Sequence, residues 1–259
     1  MPRFAANLSM MFNEHPFLER FAAAAACGFA AVEFLFPYEY PAREVAARLR
    51  DAGLQLALFN MPPGNWAAGE RGLATLPDRE AEFREGVLRA LDYAAALEAK
   101  LVHCMAGIPP AGQHPATSAA LYATRLAWAA EQSAAAGVRL VIEPINARDM
   151  PGYFLNTTTQ AAGFVAALGV ARIGLQFDLY HCQISEGDLT TRLQTLMPLI
   201  GHVQIADVPA RHEPGTGEIG WRHIFATLDR LGYGGWVGCE YKPATTTEAG
   251  LGWRQQLAQ

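Results

Sequence analysis

The chain has only two lysines, Lys100 and Lys242, so nearly all of its positive charge is arginine. It has no basic block, and its formal net charge is −5. That excludes a surface gripping phosphates through clustered cations, and with it a nucleic-acid partner. The four cysteines (Cys27, Cys104, Cys182 and Cys239) form no CxxC pair and read as buried thiols of a reducing compartment. The longest apolar run, "FAAAAACGFAAV", falls short of the roughly 20 residues of a membrane span. Asn7, Asn13 and Glu14 interrupt any secretory leader. A soluble cytoplasmic protein with no membrane partner is expected. No linker-like stretch, composition shift or repeat divides the sequence, so residues 1–259 are expected to form a single domain; the oligomeric state is left open, a homo-oligomer included.

What is present is apolar material: 51% of residues are hydrophobic and 17% charged, enough for a substantial core. Short runs of strand character recur, "RFAANLS", "AVEFLF", "LQLALFN", "LVHCMAG", "RLVIEPI", "RIGLQFDL", "HVQIAD" and "WVGCEY". Between them lie Ala-, Leu- and Arg-rich segments of helical period, several ending in a glycine C-cap (Gly28, Gly53, Gly137). Eight βα units point to a (β/α)8 TIM barrel. Alternation alone does not show closure, and a doubly wound open sheet is the competitor, although no Gly-rich phosphate fingerprint follows the first strand. Either fold places its ligand site at the carboxyl ends of the strands.

Side chains alternate across a strand, so parity assigns faces. In "RLVIE", Leu140 and Ile142 share one face and Val141 and Glu143 the other. In "RIGLQFD", Ile173, Leu175 and Phe177 leave Asp178 on the opposite side, and the same parity turns Gln204 in "HVQIA" and Glu240 in "WVGCE" inward. The fifth to eighth strands thus each aim an oxygen group at the mouth. Three are carboxylates, which repel one another unless protons or a cation intervene. A hard divalent cation, Mg²⁺ foremost and Mn²⁺ second, suits oxygen ligands; zinc is disfavoured because no His or Cys stands at the four positions. Taken singly, each reads as a strand-end carboxylate bonded to backbone or arginine; the joint pattern favours the metal. His103 and His202 read as satisfied core histidines, Glu33 as a structural carboxylate paired with an arginine, and Trp66, Trp221 and Phe12 as packing residues.

The stretches "NLSMMFNEHPFLERF", "VEFLFPYEYP", "FNMPPGNWAAGERG", "IEPIN", "FDLYH", "VQIADVPARHEPGTGEI" and "CEYKP" resemble the hydroxypyruvate isomerase family of the xylose isomerase-like barrels, over about residues 3 to 257. The resemblance implies a divalent metal held by Glu143, Asp178, Gln204 and Glu240, with Glu143 and Glu240 exchanging the proton. Related ketose epimerases typically carry His where Gln204 stands, so Gln204 favours the hydroxypyruvate branch. The resemblance does not separate hydroxypyruvate from 2-oxo-tetronate, which a similar subfamily isomerises.

The expected activity is a metal-dependent aldose–ketose-type isomerisation of a small hydroxy-keto acid, hydroxypyruvate to tartronate semialdehyde, by proton transfer through an enediolate. His181, three residues beyond Asp178, is expected to bond a substrate oxygen. Arg71 in "AAGERG" and Arg211 in "PARHEPG" lie in loops after the third and seventh strands and are expected to grip the substrate carboxylate; either one alone also reads as a solvated charge. Alternatives are a related 2-oxo acid isomerase, a ketose 3-epimerase, a hydride shift in place of proton transfer and, from another class, a Schiff-base aldolase using Lys242.

Overall fold

The β-branched and aliphatic runs form parallel strands because both of their faces are covered. In the computed structural model, which describes residues 2–257, they are β1 (Arg3–Asn7), β2 (Ala31–Phe34), β3 (Gln55–Asn60), β4 (Leu101–His103), β5 (Arg139–Ile142), β6 (Ile173–Asp178), β7 (Ile200–Ile205) and β8 (Trp236–Cys239). Each pairs with its successor, and Phe4↔Val237 and Ala6↔Cys239 join β1 to β8, so the sheet is a closed barrel rather than an open one.

Helices cover its outer surface, and the helix Ala42–Asp51 shows how. Val45, Ala46 and Leu49 recur at helical spacing and are buried, while Arg43, Arg48 and Arg50 face water. After several helices the chain turns back toward the next strand through glycine in the left-handed region, Gly28 (φ 75°), Gly53 (φ 65°) and Gly137 (φ 71°). Outward-facing Ile173, Leu175 and Phe177 are fully buried against the helical layer. Truncating one such residue, Leu175→Ala for example, costs about 2–5 kcal/mol.

Inside the barrel the floor is narrow and made of small residues: Ala5, Ala31 and Ala57 pack together with Trp236. Gly174 and Gly201 leave room for the Arg139 guanidinium, since a Cβ on Gly174 would lie 2.8 Å from Arg139 Nη2. The β6–β7 register shifts between Leu175 and Gln176, so Gln176 pairs with His202 and Asp178 with Gln204. This irregularity keeps the inward face of β7 in step with that of β6.

Two strands are shorter than their sequence runs suggest. Glu143 and Glu240 stand one residue beyond the β5 and β8 ladders. For Glu143 the cause is Pro144, which has no N–H to continue the pairing.

Candidate active site

Four residues from three strand ends converge at the C-terminal mouth: one ligand atom each of Glu143, Asp178, His181 and Glu240 lies within 4.8 Å of the others, and all four residues are buried. Such a grouping can hold a metal ion. Asp178 ends β6 and caps the following helix, Leu179–Ser185, its Oδ1 accepting the Tyr180 N–H at 2.7 Å. That leaves Oδ2 turned into the mouth. Asp178 Oδ2 and Glu143 Oε1 are buried and have no hydrogen-bond partner among the described residues. Buried acceptors left bare in this way cost free energy unless a cation or donor meets them.

The electrostatics follow from that crowding. Burial, with the Glu240 and Asp178 charges adding to it, raises the Glu143 carboxyl well above the ordinary carboxylate range. Burial pushes Glu240 up to about 8, with Arg211 opposing and Asp178 adding. Asp178 rises to about 6 through burial, moderated by Arg211. At neutral pH the site therefore retains a proton that separated carboxyls would have lost.

Arg211 is the counter-charge. Its Nη2 donates to Glu240 Oε2 at 2.6 Å and stands 3.8 Å from Asp178 Oδ2, while Nη1 lies 3.5 Å from Asp149 Oδ2. The loop after β7 aims it there. Arg211 has φ 60°, its N–H donating to Asp207 O and its C=O accepting from the Lys242 N–H. The Asp207 carboxylate gathers the rest of the loop, accepting from the N–H groups of Gly215, Gly217 and Ile219 and from Trp221 Nε1. Gly217 must be glycine, since a Cβ would fall 1.9 Å from Val208 O.

His181 is held from both sides of its ring. Asn146 Oδ1 accepts the Asp149 N–H at 2.8 Å, which turns the Asn146 NH₂ toward His181 Nδ1 at 2.6 Å; the Asn146 backbone N–H points at the same atom. Nε2 lies 3.4 Å from Arg211 Nη2, a donor, and 3.7 Å from Asp178 Oδ2, an acceptor, so either tautomer finds a partner at this atom. Burial, reinforced by Arg211, keeps the ring well below its usual pKa and hence neutral.

The remaining residues expected from the sequence also fall on or near this site. Gln204 is buried on the inner wall beside Asp178, its Oε1 accepting from Gln176 Nε2 and its Nε2 donating to Glu33 Oε1. Arg71 and Arg211 line the same cavity of about 520 Å³ as Glu143 and Glu240. Arg71 lies 3.8 Å over the Trp66 ring and donates to the Trp66 and Glu70 carbonyls. Trp66 is 39% exposed at the rim, so it does more than fill the interior. Lys242 is exposed at the rim.

Two expectations need correction. Glu33 pairs with no arginine; its partners are His202, Gln204 and Asn7. His103 is not satisfied: neither ring nitrogen has a partner among the described residues, Nδ1 stands 3.7 Å from Glu143 Oε2, and burial, with His202 adding, takes its pKa down to about 3. The sequence reading missed Asn146, Asp149 and Asn7. Only the adjacency of Asn146 to "IEPI" hinted at the first.

The family model of the xylose isomerase-like TIM barrel matches residues 21–257. The chain is 57% identical over 253 residues to a 2-oxo-tetronate isomerase of Cupriavidus necator, covering 98% of this chain and 97% of that one. It is 48% identical to the hydroxypyruvate isomerase of Escherichia coli K12, covering 98% of each. A crystal structure of an AP endonuclease, family 2, from Brucella melitensis superposes with a TM-score of 0.96 at 48% identity, covering 99% of both chains. Closed topology, mouth geometry and these matches agree: the chain belongs to the xylose isomerase-like TIM-barrel family.

Proposed function

We propose that the protein isomerises a short 2-oxo acid carrying a hydroxyl on the neighbouring carbon, moving the oxo group by one carbon through an enediolate. The observation that carries this reading is the pair of buried glutamates, Glu143 and Glu240, sharing one cavity with Arg211 and a neutral His181. Hydroxypyruvate is the first substrate reading, giving tartronate semialdehyde. The 57% identity to a 2-oxo-tetronate isomerase favours the four-carbon homologue as the second.

Each residue then has a task. One glutamate, deprotonated, removes the hydrogen from the hydroxyl-bearing carbon; the other, protonated, supplies one to the carbonyl carbon, while the hydroxyl proton passes to the former carbonyl oxygen, so that the oxo and hydroxyl groups exchange places. Crowding favours this split, because two neighbouring carboxylates resist ionising together. Arg211, with Arg71 lining the same cavity, offers guanidinium N–H groups to the substrate carboxylate, and His181 bonds a substrate oxygen.

The bare oxygens of Glu143 and Asp178 fit a divalent cation, Mg²⁺ before Mn²⁺, which Glu143, Asp178, Gln204 and Glu240 would hold. When bound, such an ion supplies Lewis-acid stabilisation of negative charge on the substrate oxygens. A Schiff-base aldolase gains no support, since Lys242 is exposed at the rim while such lysines work from desolvated positions. The test is a product assay on hydroxypyruvate and 2-oxo-tetronate with and without a chelator. Isomer formation that stops on chelation and returns with Mg²⁺ is expected; no isomer from either acid, or full turnover in chelator, overturns the reading.

A further inference from the structure

Beneath the mouth a polar layer crosses the barrel. Glu33, at the end of β2, is 1% exposed, and its carboxylate spans the lumen to β7, past β1 and β8. Its Oε1 accepts from Gln204 Nε2 at 2.7 Å and from Asn7 Nδ2 at 3.0 Å, and its Oε2 lies 2.7 Å from His202 Nε2. The span is open only because β8 carries glycine there: a Cβ on Gly238 would sit 2.2 Å from Glu33 Oε2 and 2.4 Å from its carboxyl carbon. Asn7 Nδ2 also reaches Glu240 Oε1 at 3.3 Å. One buried carboxylate thus touches the amide of Gln204 directly and Glu240 through a single intermediary.

The consequence lies in the symmetry of an amide. The oxygen and NH₂ of a glutamine have nearly the same shape, and only hydrogen bonds decide which end points where. A carboxylate accepts and cannot donate when ionised, so Glu33 selects the orientation with the Gln204 NH₂ toward itself. The oxygen is left on the opposite side, where Gln176 Nε2 reaches it at 2.5 Å and where Asp178 is the register neighbour of Gln204.

We propose that Glu33 is a positioning residue: it holds the Gln204 amide with its oxygen turned toward β6, the strand that ends in Asp178, as a neutral ligand for the divalent cation, and ties Glu240 into the same frame through Asn7. This rests on the metal-assisted reading above. Groups that orient metal ligands affect affinity nearly as strongly as the ligands do, typically about 10–100-fold.

The test is calorimetric titration of the purified chain with Mn²⁺, which reads binding without turnover. Glu33→Met removes the acceptor and is expected to weaken Mn²⁺ about 10–100-fold. Glu33→Gln keeps an oxygen for Gln204 and Asn7, while the other tautomer of His202 meets its NH₂, and it is expected to restore most of the affinity. In a Gln204→Ala background Glu33→Met should weaken binding little further, because the ligand it positions is gone. If Glu33→Met loses its cooperative near-UV melting transition, Glu33→Asp replaces it; withdrawing the carboxylate by one methylene should weaken Mn²⁺ in the same way. Wild-type affinity in these variants, losses that simply add to that of Gln204→Ala, or a Glu33→Gln loss as large as that of Glu33→Met would overturn the positioning role. No saturable Mn²⁺ uptake by the wild-type chain would instead overturn the metal reading itself, and this inference with it.

Discussion

The two ends of the barrel enclose cavities of nearly equal volume, about 520 Å³ at the C-terminal mouth and 510 Å³ at the N-terminal floor, yet they differ in chemistry. The floor is bounded by Leu56, Ala57, Leu101, Gly201 and Trp236, and its cations Arg50 and Lys100 lie exposed to water. At the mouth the carboxyls of Glu143, Asp178 and Glu240 are buried and raised above their ordinary range, and Glu143 Oε1 and Asp178 Oδ2 have no partner among the described residues. Volume does not tell the two ends apart; the cluster of buried carboxylates does. The floor is built of small residues around the Arg139 guanidinium, whereas the mouth gathers three buried carboxylates that packing alone would remove.

Substitutions can break this contrast. Glu143→Gln and Glu240→Gln preserve shape and an oxygen but shuttle no proton, and each is expected to lower kcat by about 10²–10⁴-fold with the fold intact. Lys100→Ala at the floor is expected to leave kcat/KM unchanged. If the floor variant loses as much as the mouth variants, the contrast is false.

Within the mouth the two arginines should separate. Arg211 is largely buried and bonded to Glu240, so Arg211→Met is expected to lower kcat/KM for the 2-oxo acid by about 10–100-fold, with a much smaller loss on any neutral ketose turned over. Arg71 is half-exposed and stacked on Trp66, and Arg71→Met should raise KM by about tenfold at most. Equal losses on charged and neutral substrates would make either arginine structural.

The smallest effect is on stability. Glu240 is raised from the ordinary carboxylate range to about 8, so between those values the folded chain holds a proton that the unfolded chain has lost, and stability falls as pH rises. His103 and His181 are depressed and work oppositely, with stability lost as pH falls below about 6.5. The window free of that opposition is pH 6.5 to 8. There the metal-free Tm is expected to fall by a few degrees, and Mg²⁺ to raise it most at the alkaline end, where the carboxylates are ionised. A metal-free Tm that climbs through this window would contradict the raised carboxyls.

Much of this arrangement is legible in the sequence because alternation is local. Parity alone puts Glu143, Asp178, Gln204 and Glu240 on one face, and the structure has all four on the inner wall. What is illegible depends on closure. Glu33 and His202 meet across 169 positions, so nothing near either residue announces the pair, and an arginine partner was the natural but mistaken expectation for a lone buried carboxylate. The aim of Arg211 depends on one backbone angle and the Asp207 hub, and the placement of the His181 ring on an asparagine 35 residues away.

The most direct measurement follows the transferred hydrogen. Run in D₂O with the wild-type chain, the isomerisation of hydroxypyruvate should place solvent deuterium on the carbon that was the carbonyl, detected by NMR, because the glutamate that supplies that hydrogen carries a carboxyl proton exchanged with the solvent. Product that forms at full rate with no deuterium at that carbon would show hydrogen passing directly between the two carbons, and would contradict proton transfer by Glu143 and Glu240.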